Sequence, residues 1–403
     1  MESTAQRAYE VLTETLAARG IGTDVVEERL RAQRVETPSW GYGDTGTRFA
    51  VFPQRGVPRD PFEKMADAAQ VHRLTGVCPS VAIHIPWDKV DDYDELKSHA
   101  ESLGLRIGAI NPNLFQEPEY KLGSVCNPDQ AVRRKATDHL LECVEIAGET
   151  GSDVLSLWFA DGTNYAGQDS FTERRHRMVG CLEEVYAAMP ESMRMLIEYK
   201  PYEPAFYHTD LADWGAALTV SQRLGERAKV LVDLGHHAKE VNIEYVVALL
   251  LDEGRLGGFH FNNRKYGDDD LIVGSVNPFE LFLIYVELVE AEEGTRIDYM
   301  IDQTHNIEPK IEAMILSVMN LQEAYARALL IDRAALAEAR YSGDVLGAHR
   351  LLLDPYATDV RPLCAKVRED LGGAADPISA FKQSGYAEKA AEERGEGAGA
   401  GWS

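Results

Sequence analysis

Gly258-Phe-His-Phe-Asn-Asn-Arg-Lys-Tyr-Gly-Asp-Asp-Asp270 is an apolar run that turns, within a few residues, into three consecutive carboxylates. From Leu256 to Phe261 every residue but His260 is apolar or glycine, which reads as a short buried strand interrupted by one imidazole. Asp268 and Asp270 are two positions apart, so in an extended loop they point the same way while Asp269 points elsewhere. One imidazole and two carboxylates are thus offered to one place at the C-terminal end of a strand. Taken alone, these residues fit a core histidine and a solvated acidic turn equally well. The remaining strand ends decide between the two.

Outward from this stretch, short apolar runs alternate with amphipathic helical ones. The runs are Val81–Pro86, Arg106–Ile110, Asp153–Phe159, Met195–Lys200, Val230–Leu234, Gly257–Phe261, Leu271–Val273 and Ile297–Asp302. Helical spacing fills 91–103, 128–150, 169–188, 210–225, 241–253, 278–293 and 308–330. About eight strand–helix units is the number that closes a parallel (β/α)8 barrel, an α/β fold. The connection holding Lys265 to Asp270 has no room for a full helix, and is the weakest part of that count. Residues 1–76 read as an N-terminal helical extension, and within it Trp40-Gly-Tyr-Gly-Asp-Thr-Gly46 forms an aromatic, glycine-rich loop running into Phe49–Pro53. The barrel is assigned to 77–330, and 331–403 to a C-terminal helical extension whose glycine-rich end, Glu392–Ser403, reads as mobile.

Functional groups of such barrels gather at the C-terminal ends of the strands. Glu198 stands there in the fourth run, Asp233 in the fifth with His236 three residues on, His260 in the sixth, Asp268 and Asp270 after it, and Asp302 at the close of the eighth. Carboxylates and imidazoles without thiolates favour Mn²⁺, Mg²⁺, Co²⁺ or Zn²⁺, and seven donors exceed the needs of one ion with open positions. Two ions sharing a carboxylate would use them all. Lys200 lies two residues beyond Glu198 and so on the same face of the strand, where it would neutralise carboxylates or hold a substrate oxygen. His84, followed by Trp87 and Asp88, reads equally as a sugar-facing imidazole or a satisfied strand histidine. Trp158 and Phe159, with Trp87 and Phe115, supply candidate pocket walls, while His237 and His305 are poorer ligands by position.

The chain has 403 residues, is 45% hydrophobic and carries a net charge of -25 with no basic cluster, which argues against nucleic acid or an anionic membrane as partner. Its five cysteines are scattered without a C-x-x-C pair, and no apolar run approaches the ~20 residues of a bilayer span. The expected setting is the cytoplasm.

Ile-Glu198-Tyr-Lys200-Pro, Val-Asp233-Leu-Gly-His236-His, Phe-His260-Phe-Asn-Asn, Asp268-Asp-Asp270 and Asp302-Gln-Thr-His together resemble the L-rhamnose isomerases, in their bacterial, broad-specificity branch. The resemblance runs from the Trp40 loop through Asp302. It implies a xylose isomerase-like TIM barrel, a homotetramer and two divalent ions per chain, commonly manganese. One ion would be held by Glu198, Asp233, His260 and Asp302, and a catalytic one by Glu198, His236, Asp268 and Asp270. By the same analogy His84, Trp158 and Lys200 face the sugar and Phe52 or its neighbours reach an adjacent subunit's site; Trp87 is expected beside them as a wall, and His236, Asp270, Asp302 and Lys200 are expected to take part in the reaction. The expected activity is L-rhamnose to L-rhamnulose, with other aldoses such as D-allose, by a hydride shift; an enediol route is the alternative. Other readings are a different sugar isomerase or epimerase, a metal-dependent hydrolase of the apurinic endonuclease-like group, and a non-catalytic sugar-binding protein.

Overall fold

The computed structural model describes residues 4–46, 50–203, 207–291 and 295–397. Phe49 and the last part of the glycine-rich end, 398–403, lie outside the described residues. Eight parallel strands close into a barrel: β1 Glu36–Pro38, β2 Ser80–Ile85, β3 Arg106–Pro112, β4 Val154–Leu157, β5 Arg194–Glu198, β6 Ala228–Asp233, β7 Leu256–Phe261 and β8 Asp298–Ile301. β1 pairs with both β2 and β8, which completes the ring. The expected (β/α)8 barrel is present, but two of its parts move.

Leu271–Val273 is not a barrel strand. Leu271 makes an isolated antiparallel bridge with Asn263, and Val273 is buried beside helix Lys310–Leu329, donating its N–H to Ser317 Oγ at 3.3 Å and accepting from Asn320 at 2.7 Å. The place in the ring belongs to Glu36–Pro38, inside the segment assigned to a helical extension, so the barrel begins at Glu36 and not at 77. A strand of three residues ending in proline carries too little alternation to be read from sequence.

The helices that follow β2 to β7 each start on a side-chain cap: Asp92, Asp129, Ser170, Asp213, Asn242 and Asn277 accept from a backbone N–H in the first turn. These caps stop the helices on the side where the strands end, which opens that face for a site. Inside the barrel, Trp40, Ala82, Ala109, Val154, Leu196, Leu231 and Met300 form a closed apolar floor. The two ends of the chain share a core of their own: Leu12, Leu16 and Leu30 pack with Leu330, Leu363 and Val367. Among the described residues no helix is long and apolar enough to cross a membrane.

Candidate functional site

Glu198 and Asp233 are the last residues of β5 and β6, His260 is the next to last of β7, and Asp302 directly follows β8. Because these four strands are neighbours, one ligand atom from each falls within 4.8 Å of the others. His260 Nδ1 is buried without a hydrogen-bond partner, yet stands 3.1 Å from Glu198 Oε2, 3.7 Å from Asp302 Oδ2 and 4.0 Å from Asp233 Oδ2. An imidazole nitrogen facing three carboxylates is a donor set for a divalent cation. A second group joins the first: Asp233, His236 and Asp268 also lie within 4.8 Å of one another. His236 Nε2 is 3.2 Å from Asp268 Oδ1, and its Nδ1 is 3.0 Å from Glu198 Oε1 and 3.1 Å from the Tyr199 carbonyl. That carbonyl fixes the ring so that Nε2 faces Asp268. Asp270, at φ 44°, is outside this trio and meets Asn262, whose amide is 3.2 Å from Asp270 Oδ1 and 3.0 Å from each Asp233 oxygen.

The electrostatics describe a cluster with more negative charge than burial tolerates. Burial, with Glu198, Asp302 and Asp268 close by, pushes Asp233 up to about 7 despite His236. Asp270 is driven well up by burial and by Asp268, Asp302 and Asp233, and Asp302 rises through burial and Glu198. Glu198 is raised by burial but held at about 2 because His260 and His236 outweigh it. Asp268 is held below the usual carboxylate range because Lys200 and His236 overcome its burial. His260 is lowered by burial, yet Glu198, Asp302 and Asp233 carry it to about 9. The cluster therefore holds protons where cations would serve it better.

Lys200 Nζ lies 2.7 Å from Asp268 Oδ2 and 4.8 Å over the Trp158 ring. His84 is stacked on Trp87 at 3.7 Å, and Phe115 joins His84, Trp87 and Trp158 at 5.8, 6.0 and 4.8 Å. Trp87, Phe115 and Trp158 thus form one aromatic surface with His84, whereas Phe159, the other expected wall residue, is buried in the hydrophobic core outside the barrel floor. Burial, with the charges of Lys64 and His139, keeps the His84 imidazole neutral. Phe52, on the strand Val51–Phe52, is 46% exposed and does not join this ring cluster. His237 binds the Tyr199 hydroxyl at 2.6 Å and His305 is 3.8 Å from Glu308, both outside the two groups.

Three supports escaped the sequence. Asn262 ties Asp233 to Asp270; Asp88, fully buried, accepts from the His84 N–H at 2.8 Å, from Lys64 at 2.7 Å and from Ser39; and Trp40 donates to Asp302 at 2.7 Å. They act through other residues, so only the aromatic loop around Trp40 left a signal. A further trio, Cys126, Asp161 and Asp210, shares the ligand-like spacing. Here the buried Arg174 guanidinium binds Asp210 at 2.7 Å, and Asp161 is satisfied by Ser124 and Cys126 backbone N–H groups, so this is a polar core with its cation supplied.

The profile of the xylose isomerase-like TIM barrel family matches residues 69–298. The chain belongs to this family. A relative described as "Probable sugar isomerase" from Rhizobium meliloti (strain 1021) is 46% identical over 98% of this chain and 94% of its own length. A second of the same description, from Mesorhizobium japonicum, is 45% identical over 96% and 92%. A xylose isomerase from Thermus thermophilus is 26% identical over 60% of this chain and 68% of its own. Among solved structures, an L-ribulose 3-epimerase superposes with a TM-score of 0.54 at 13% identity, covering 78% of this chain and 98% of that one, and shares the fold.

Proposed function

We propose that this member of the xylose isomerase-like family is a metal-dependent sugar isomerase that interconverts an aldose and its ketose, with L-rhamnose and L-rhamnulose as the first pair to test. The observation that carries the reading is the convergence of Glu198, Asp233, His260 and Asp302 from four adjacent strand ends, with His236 and Asp268 beside them. Glu198, Asp233, Asp268, Asp270 and Asp302 bring five carboxylates together with the ammonium of Lys200, a balance that two divalent cations would complete. Glu198, Asp233, His260 and Asp302 would hold one ion; Glu198, His236, Asp268 and Asp270 the other. Mn²⁺ suits this oxygen and imidazole set, as do Co²⁺, Mg²⁺ and Zn²⁺.

Aldose–ketose interconversion moves one hydrogen between C1 and C2 and one proton between O1 and O2. Bound divalent ions supply Lewis acidity that polarises the carbonyl and offsets negative charge developing on its oxygen. Lys200, held by Asp268, would help to hold O1. Asp302 and Asp270 would orient a water that carries the proton between O1 and O2. His84, Trp87, Phe115 and Trp158 offer apolar faces to the sugar carbons and exclude water, so a hydrogen passing between carbons is not lost to solvent. Phe52 of a neighbouring chain would complete that wall. The acidic surface disfavours the hydrolase alternative, which must hold a polyanion.

A panel of aldoses including L-rhamnose and D-allose, each deuterated at C2, tests the reading in ordinary water. Ketose that keeps the deuterium at C1 supports isomerisation by hydride shift, and ketose that has lost it replaces that route with the enediol. No ketose from any aldose, alongside phosphatase or nuclease turnover, would replace the isomerase reading.

A further inference from the structure

Trp40 leaves β1 on the short turn Ser39–Tyr42, and β1 runs beside β8 with Glu36 opposite Met300. By that register Asp302, the first residue past β8, comes level with Pro38, and the turn that starts at Ser39 brings the Trp40 indole to it. The indole Nε1–H donates to Asp302 Oδ1 at 2.7 Å, while Asp302 Oδ2 faces His260 Nδ1 at 3.7 Å. A carboxylate turns easily about its last bond, so which oxygen it offers is set by what binds the other. The indole is itself fixed: it is 8% exposed and belongs to the buried cluster of the barrel floor, with Ala82, Ala109, Leu231 and Met300 among its members. Its plane also meets the His84 ring edge-on, with centroids 5.6 Å apart.

Resting on the ion sites proposed above, we infer that Trp40 is a positioning residue: its N–H commits one oxygen of Asp302 and leaves the other to the cation shared with Glu198, Asp233 and His260. The same ring carries His84, so the ion side and the aromatic side of the site are registered to each other by one side chain from the segment before the second strand. Among the described hydrogen bonds Trp40 reaches this set at Asp302 Oδ1, and so would act on one of the two ions.

The test is calorimetric titration of Mn²⁺ into chelator-stripped protein. Wild type should bind two ions per chain, and Trp40→Phe, which keeps a ring but lacks the N–H, should weaken one of them by roughly 10- to 100-fold while leaving the other within about twofold. Unchanged affinity for both, or equal weakening of both as general loosening would produce, overturns the inference. A wild type that binds no Mn²⁺ is a different failure, that of the ion sites themselves. Should Trp40→Phe not fold, the bond is read without altering Trp40, in protein labelled with nitrogen-15 at the indoles. Asp302→Asn replaces a charged acceptor with a neutral one and should move one indole N–H signal upfield; an unchanged set of signals overturns the inference.

Discussion

His260 and Asp233 sit on the same patch of the barrel mouth and both bind protons more tightly in the folded chain than outside it. Asp233 rises from 3.8 to about 7, and His260 from 6.5 to about 9. At these two groups the folded, ion-free protein holds more protons than the unfolded chain, so the stability they contribute is lost as pH rises through about 7 and about 9. We expect its melting temperature to drop steadily from pH 5 to pH 8, and Mn²⁺, which displaces those protons, to restore it most at the alkaline end. A melting temperature that rises over this range without ions would contradict the assignment of these two groups. The carboxylates and imidazoles that converge at the strand ends were legible in the sequence because each closes or follows an apolar run. Asn262 and Asp88 were not, and Trp40 showed only as part of an aromatic loop, since a residue that orients another leaves its mark in three dimensions and little in spacing.

The strand that escaped the sequence shows how an element can be defined by its neighbours. β1 has three residues, and its Glu36 carboxylate reaches into the barrel to accept the Ala109 N–H at 2.9 Å. The pairing of β2 with β3 slips at that level, between Val81 and Ile83, which releases the Ala109 N–H from the ladder. Gly108 makes the approach possible: a Cβ there would stand 1.7 Å from Glu36 Oε2. Gly108→Ala should cost on the order of 1–3 kcal/mol of folding stability, measured by denaturant unfolding, because Glu36 must leave or the strands must part. An unaltered unfolding midpoint would mean that Glu36 is not the tie that holds β1 in the ring. Leu271–Val273 misled for a related reason: Val273 is apolar because it packs on helix Lys310–Leu329, and burial against a helix reads in sequence like burial in a sheet.

For the whole molecule, alternating runs and helices gave the barrel its class, while the first closing strand and the shared core of the two extensions depended on long-range pairing that no local pattern encodes. Leu12 and Leu16 meet Leu363 and Val367 because helix Thr4–Ala18 packs directly on helix Arg361–Asp370, across the length of the chain. At the barrel mouth, Phe52, Tyr165, Tyr266 and Ile307 stand exposed on loops after β1, β4, β7 and β8. Apolar residues in that position are consistent with a neighbouring chain across the mouth. We expect four chains in solution, and sedimentation equilibrium giving the mass of one chain at micromolar concentration would contradict that.

The central claim is that carboxylates and imidazoles from adjacent strand ends hold the cations on which sugar isomerisation depends. The direct measurement is ketose formation from L-rhamnose and a panel of aldoses by protein stripped with chelator, then resupplied with Mn²⁺, with bound metal counted in the same samples and His236→Ala run beside the wild type. Two ions per wild-type chain, turnover that vanishes and returns with them, and loss of one ion and of turnover in the variant are the predicted result. Turnover indifferent to chelator, or a wild type that holds no metal, would contradict it.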